Sequence, residues 1–135
     1  MNQGDDWMNK KIMVVDDDLS LTKTIKFILE DSKDYNVMSA NSGFECLQKL
    51  RNNEIPDLIL LDIMMPEMNG WQVFEKIKEN DDWKDIPIII LTARTDDLAK
   101  NAGKFLAEDY IEKPYTKEML KERIKRVLDH NHTIE

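Results

Sequence analysis

The sequence predicts an α/β domain, a doubly wound parallel sheet with helices on both faces. Three observations carry that prediction. The hydrophobic pattern switches five times from a strand-like apolar run to helix-like spacing. The third and fourth runs, LILL and IIIL, are apolar without alternation, as central parallel strands covered on both faces are. Four of the runs end in a reactive polar residue, and in an open parallel sheet such ends gather at one crevice. These residues are Asp16 and Asp17 after IMVV, Asp62 after LILL, Thr92 after IIIL, and Lys113 after Tyr110-Ile111.

Each element follows from its own pattern. Lys11 to Asp16 is the first strand, and Leu21, Ile25, Ile28 and Leu29 then recur at helical spacing. Tyr35 to Ala40 is a weaker second strand, followed by Ser42 and Glu45 in capping-box register ahead of a helix carrying Cys46, Leu47 and Leu50. Asp57 to Leu61 leads through a loop to a helix from about Trp71 to Glu79. Pro87 to Leu91 leads to a helix from about Asp96 to Leu106. Asp109 to Glu112 leads to a last helix in which Leu120, Ile124, Val127 and Leu128 share a face. Right-handed crossovers between parallel strands then favour the doubly wound arrangement.

The chain's bounds narrow the function classes. Its 135 residues suit one domain, expected over 11–130 between tails 1–10 and 131–135. A net charge of -8 argues against direct binding to nucleic acid, whose affinity for proteins comes largely from Lys and Arg neutralising phosphates. Cys46, the single cysteine, permits no internal disulfide and reads as helix packing. Apolar runs of about six residues fall well short of the roughly 20 needed to span a bilayer, and MNQGDDWMNKK has no signal-peptide apolar segment. The expectation is a cytoplasmic protein with no membrane partner.

The strand-end residues define the chemistry. Asp16, Asp17 and Asp18 read on their own as a turn and the charged start of a helix, and Asp62 on its own reads equally as a cap. Carboxylates gathered at one sheet end repel one another unless a divalent cation compensates them. Mg2+ accepts one or two carboxylates, a carbonyl and waters. An aspartate can itself be a nucleophile, forming an acyl phosphate, once metal and ammonium offset its charge. Lys113 can supply that ammonium and Thr92 a hydrogen bond to a phosphoryl oxygen, with a backbone N–H near Met64 or Ala93 as another donor.

The strings VVDDD, DLILLDIMMPEMNG, PIIILTAR and DYIEKP, in this order and with family-like gaps, resemble the receiver domain of two-component response regulators, in its single-domain, chemotaxis-regulator-like form. That resemblance implies a flavodoxin-like five-stranded sheet in the order 2-1-3-4-5 with five helices. It implies that Asp62 is the phosphoacceptor, taking a phosphoryl group from a sensor histidine kinase or a histidine phosphotransfer protein. Asp17, Asp62 and the main-chain carbonyl of Met64 would bind Mg2+, with Asp16 reaching it mainly through water. Lys113 would pair with the phosphoryl oxygens, ahead of a cis bond to Pro114.

The same resemblance makes Thr92 and Tyr110 a switch. Thr92 would move toward the phosphoryl oxygen and let Tyr110 turn inward, remodelling the face of the fourth helix, fifth strand and fifth helix for a downstream protein target. Either a monomer or a phosphorylation-dependent homodimer fits. No DNA-binding motif follows the last helix, so output through protein contacts is expected unless the chain is a piece of a longer one. Catalysis would be limited to the chain's own phosphorylation and dephosphorylation. Gly70 matches the family's loop glycine. Leu106 stands where the family often has Gly, and Met64 and Arg94 hold positions that govern water access to the acyl phosphate, where bulk would lengthen its life.

Two other readings compete. A haloacid-dehalogenase-like phosphatase would use Asp16 as nucleophile, but needs a further acidic motif downstream of the Lys and a substrate cap. A receiver-like interaction module without phosphorylation would not need the complete reactive set. The remaining aromatic and sulfur residues read as structural. Met64, Met65 and Met68 favour filling space over the sheet rather than docking, Trp71 packs at a helix start, and Trp83 inside NDDWKD is expected to be partly exposed. Phe105 and Tyr115 belong to the output face or its packing, and His130 and His132 lie in the tail region without a partner motif.

Overall fold

In a computed structural model the described residues are 10–31, 33–93 and 106–133, without the side chains of 131–133. They form five strands, β1 (Lys10–Val15), β2 (Tyr35–Ala40), β3 (Leu58–Asp62), β4 (Ile88–Thr92) and β5 (Asp109–Glu112). Four helices accompany them, α1 (Leu19–Asp31), α2 (Gly43–Arg51), α3 (Gly70–Lys78) and α4 (Lys117–Thr133). All neighbouring strands pair in parallel, in the order β2-β1-β3-β4-β5. The order reverses at β1, so the crevice between the loops after β1 and β3 is the switch point where such sheets bind ligands. The fifth helix expected, about Asp96 to Leu106, lies outside the described residues except for Leu106, an exposed coil residue without positive φ.

Strand periodicity divides the core into two layers. Ile12 and Val14, Leu58 and Leu60, and Ile89 and Leu91 point to one side, where Ile25 and Leu29 of α1 and Leu120 and Ile124 of α4 cover them. Met13 and Val15, Ile59 and Leu61, and Ile88 and Ile90 point to the other, under Cys46, Leu47 and Leu50 of α2 and Val73, Phe74 and Ile77 of α3. Both sides of the three central strands are therefore dry, which explains their unbroken apolar runs. Burial pushes the Cys46 thiol up to about 12, so it packs as a small apolar group.

Several local expectations shift. The helix through Leu120 continues to Thr133, beyond the point where periodicity fades. Ser42 caps α2 by accepting from Glu45 N at 3.0 Å, but Glu45 Oε1 accepts from Asn41 N rather than from Ser42, so the box is offset by one residue. The complete box belongs to Asn69 and Gln72 at the start of α3. Trp83 is buried, contrary to the exposure expected from its polar neighbours. A turn through Asn80, Trp83 and Ile86 brings its ring into the cluster with Ile77 while the flanking charges stay outside.

Candidate functional site

The three aspartates after β1 have separate roles. Asp18 fits the ordinary helix-start reading: its Oδ1 accepts from Leu21 N at 3.2 Å and its carbonyl from Thr22 N, capping α1. Asp16 is buried, and its Oδ1 accepts from Asp18 N at 2.9 Å. Its Oδ2 is buried with no hydrogen-bond partner among the described residues. Asp17 is exposed, yet ligand oxygens of Asp16, Asp17 and Asp62 all lie within 4.8 Å of one another.

Asp62, the last residue of β3, is only 4% exposed. Lys113 reaches it from the end of β5, with Nζ 3.0 Å from Asp62 Oδ1 and 3.6 Å from Asp16 Oδ2. The backbone holds Lys113 there through its N–H, which donates to Thr92 O at 2.8 Å. The peptide bond from Lys113 to Pro114 is cis. One ammonium thus faces two buried carboxylates. Desolvation, followed by the charge of Asp16, raises the Asp62 carboxyl from 3.8 to about 6 against the pull of Lys113. Asp16 is raised too, first by burial. Burial works against the charge on Lys113, but its bond to Asp62 and the two carboxylates more than compensate and raise its pKa.

Among the described residues the site gathers three carboxylates around the one ammonium of Lys113. A buried carboxylate oxygen without a hydrogen bond, beside two more carboxylates at ligand spacing, is a donor set that fits a hard divalent cation. Met64, two residues beyond Asp62 in the loop after β3, is half exposed, while Met65 and Met68 are buried in the core as the space-filling reading holds.

The loop that follows is shaped by close approach. A Cβ on Gly70 would stand 2.4 Å from Asp62 O and 2.8 Å from Ile63 Cα, so only glycine lets the start of α3 rest on the backbone of Asp62 and Ile63. No described glycine has positive φ, so space rather than conformational freedom explains the residue. Glu67 takes the left-handed conformation instead, with φ 67°, where Met68 N donates to Pro66 O at 2.7 Å.

Thr92, fully buried, ends β4 opposite Glu112 of β5. Tyr110 lies two residues before Glu112, half buried, with its ring against the cluster under α2 and α3 and its hydroxyl accepting from Ala107 N at 3.5 Å. Tyr115 is half buried against the opposite cluster, so its packing is established, whereas Phe105 and Arg94 lie outside the described residues. The sequence reasoning did not anticipate Arg123. From α4 it grips Asp109 with two nitrogens, Nη2 to Oδ1 at 2.7 Å, and also donates to Tyr110 O at 3.0 Å. Burial works against the Asp109 charge, but Arg123 outweighs it and holds the carboxyl below its usual range.

A strand-end cluster of this composition on this topology has known relatives. The family model of the response regulator receiver domain matches residues 12–125. The chain belongs to that family. It is 41% identical over 119 residues to a transcriptional regulatory protein CpxR homolog of Haemophilus influenzae, covering 87% of this chain and 50% of that protein. It is 38% identical over 122 residues to the alkaline phosphatase synthesis transcriptional regulatory protein PhoP of Bacillus subtilis, covering 90% of this chain and 49% of that one. The receiver chain thus spans about half the length of the curated relatives it matches.

Among solved structures, the signal receiver domain of a signal transduction histidine kinase from Syntrophus aciditrophicus superposes with TM-score 0.83 at 31% identity, covering 90% of this chain and 91% of that one. Receiver domains are signalling phosphoacceptors, not turnover enzymes, which removes the phosphatase with Asp16 as nucleophile. No described helix is long and apolar enough to cross a membrane.

Proposed function

We propose that this receiver domain is the phosphoacceptor switch of a two-component phosphorelay, with residues 11–130 as the working unit. A carboxylate oxygen of Asp62 attacks the phosphorus of a phosphohistidine on a sensor histidine kinase or a histidine phosphotransfer protein. The P–N bond breaks, the imidazole leaves and takes up a proton, and an acyl phosphate forms on Asp62. Asp16, Asp17, Asp62 and the main-chain carbonyl of Met64 would hold Mg2+, with Asp16 acting largely through water. When bound, the cation supplies the charge neutralisation that lets an anionic nucleophile approach an anionic phosphoryl group. Lys113 leaves Asp62 Oδ1 and pairs with a phosphoryl oxygen, and Thr92 donates to another.

The observation that carries this reading is the single ammonium of Lys113 shared between two buried carboxylates, Asp62 at 3.0 Å and Asp16 at 3.6 Å. The arrangement is short of positive charge until a divalent cation binds, and with the cation in place it can take on an anionic phosphoryl group. Thr92 then turns toward the phosphoryl group, Tyr110 moves into the space released, and the face of β5, α4 and the expected helix over 96–106 changes for a downstream protein or a second copy. Catalysis extends only to the chain's own phosphorylation and dephosphorylation. The relatives are named as transcriptional regulatory proteins and are about twice as long; for this chain a link to transcription through a protein contact or an attached domain belongs to the same proposal. A cytoplasmic location, where a kinase delivers phosphoryl groups and a lone thiol stays reduced, completes it.

Incubation with Mg2+ and a small acyl-phosphate donor, read by intact mass, tests the reading. Wild type is expected to gain one phosphoryl group and Asp62→Asn none. An equal gain in both, or no gain in a folded wild type, would overturn it.

A further inference from the structure

Strand β2 is an edge of the sheet. An edge strand turns alternate N–H and C=O groups outward, where another strand can pair with them. Ala40 O accepts from Asp16 N at 3.1 Å, so the even-numbered residues of β2 bond inward toward β1 and the outward groups belong to Tyr35, Val37 and Ser39. The strand itself, Tyr35-Asn36-Val37-Met38-Ser39-Ala40, carries no charge and no proline, and its register with β1 runs without a bulge. None of the usual devices against edge pairing is present within it.

Protection comes from α1 instead. Val37, at the centre of the outward row, has both backbone groups taken: its N–H donates to Glu30 Oε2 at 3.0 Å and its carbonyl accepts from Lys26 Nζ at 3.3 Å. The two side chains sit one helical turn apart and bond to each other at 3.0 Å through the same Oε2. An ordinary i,i+4 pair lies along its own helix and contributes little. This one leans across onto the neighbouring strand and occupies a donor and an acceptor of one residue. The bond to Val37 N and the ammonium of Lys26 hold the Glu30 carboxyl below its usual range, in keeping with its use as an acceptor.

We infer that the Lys26–Glu30 pair is an edge guard, which keeps β2 of one copy of this chain from pairing with β2 of a second. The competing state is an isologous dimer, two β2 strands running antiparallel across a two-fold axis. To form it, Val37 must release a carboxylate and an ammonium that already satisfy its backbone. The guard works without phosphorylation, so its test is independent of the acyl phosphate.

The experiment uses the whole chain, unphosphorylated, with sedimentation for association and amide hydrogen exchange for Val37. Wild type is expected to remain monomeric with a protected Val37 amide. Lys26→Ala with Glu30→Ala is expected to form a dimer under the same conditions, and its monomeric fraction at high dilution to lose at least tenfold in Val37 protection. Removing the exposed Lys125–Asp129 pair of α4 the same way should leave a monomer. Adding Ser39→Pro to the double variant removes an outward donor without touching the bonds to β1 and should restore the monomer. A folded double variant that stays monomeric, or a dimer that survives Ser39→Pro, overturns the inference. If the double variant folds poorly, Lys26→Met retains the Glu30 bond and should still associate measurably; a strict monomer there overturns it equally.

Discussion

Two carboxylates end up on opposite sides of their ordinary pKa, and the difference separates the working part of this receiver from its frame. Asp109 at the start of β5 meets a guanidinium that offers two parallel donors, and its charge is held. Asp62 at the end of β3 meets one ammonium that it shares with Asp16, is more deeply buried, and is raised to about 6. A structural ion pair is satisfied within the protein, whereas the strand-end cluster is left short of positive charge. Natural folds accept such a deficit where a ligand will make it good.

The largest expected effect of breaking the contrast lies in the chemistry. Lys113→Ala should slow phosphoryl uptake from a small acyl-phosphate donor by on the order of a hundredfold, because it removes the one cation that, among the described residues, reaches Asp62 and Asp16. Arg123→Ala should leave that rate nearly unchanged. Rates of mass gain for the two variants check this; equal losses would erase the distinction.

Stability should show the reverse order. Arg123→Ala strips a partly buried carboxylate of its main partner and should cost on the order of 2 kcal/mol in denaturant unfolding at neutral pH. Asp62→Asn relieves the repulsion in the crevice and should stabilise the metal-free protein, by about 1–2 kcal/mol after allowance for relaxation.

The pH dependence carries opposite signs at the two sites. The folded-state pKa of Asp62 is raised, so between 3.8 and about 6 the folded protein holds a proton that the unfolded chain has released. Its contribution to stability therefore falls as pH rises through that window, and the gain from Asp62→Asn should grow over the same window. Asp109 is lowered, so its contribution is present above 3.8 and is lost as pH falls through its folded-state value. The deficit of Arg123→Ala should accordingly shrink only in acid. Unfolding curves of the variants from acid to neutral pH check both signs.

The smallest effect concerns lifetime. Met64 is half exposed in the loop that follows Asp62, and Met64→Asn is expected to speed decay of the acyl phosphate several-fold by admitting water. An unchanged decay rate would remove Met64 from that role.

The legibility of these two regions differed as well. Asp16, Asp62, Thr92 and Lys113 could be found because buried parallel strands are written as unbroken apolar runs, and whatever follows such a run lies at the carboxyl edge. The runs do not state which carboxylate will be exposed: Asp18 was separable from Asp16 only once its bond to Leu21 N was known. The Asp109–Arg123 pair gave no signal, since its partners lie on different elements and surface-type charges are common on both. Trp83 failed for a related reason, as the charges around it describe their own exposure and not the direction its ring takes. Gly70 was recognised as a loop glycine, but its cause, the approach of α3 to the backbone of Asp62, exists only in three dimensions.

Locating the phosphoryl group tests the central claim most directly. The phosphorylated protein is reduced with borohydride, which converts an aspartyl phosphate to homoserine, and is then digested and mapped by mass spectrometry. Homoserine at position 62 alone, dependent on Mg2+, is the predicted result. Homoserine at position 16, or at no aspartate in a protein that has gained phosphoryl mass, would contradict it.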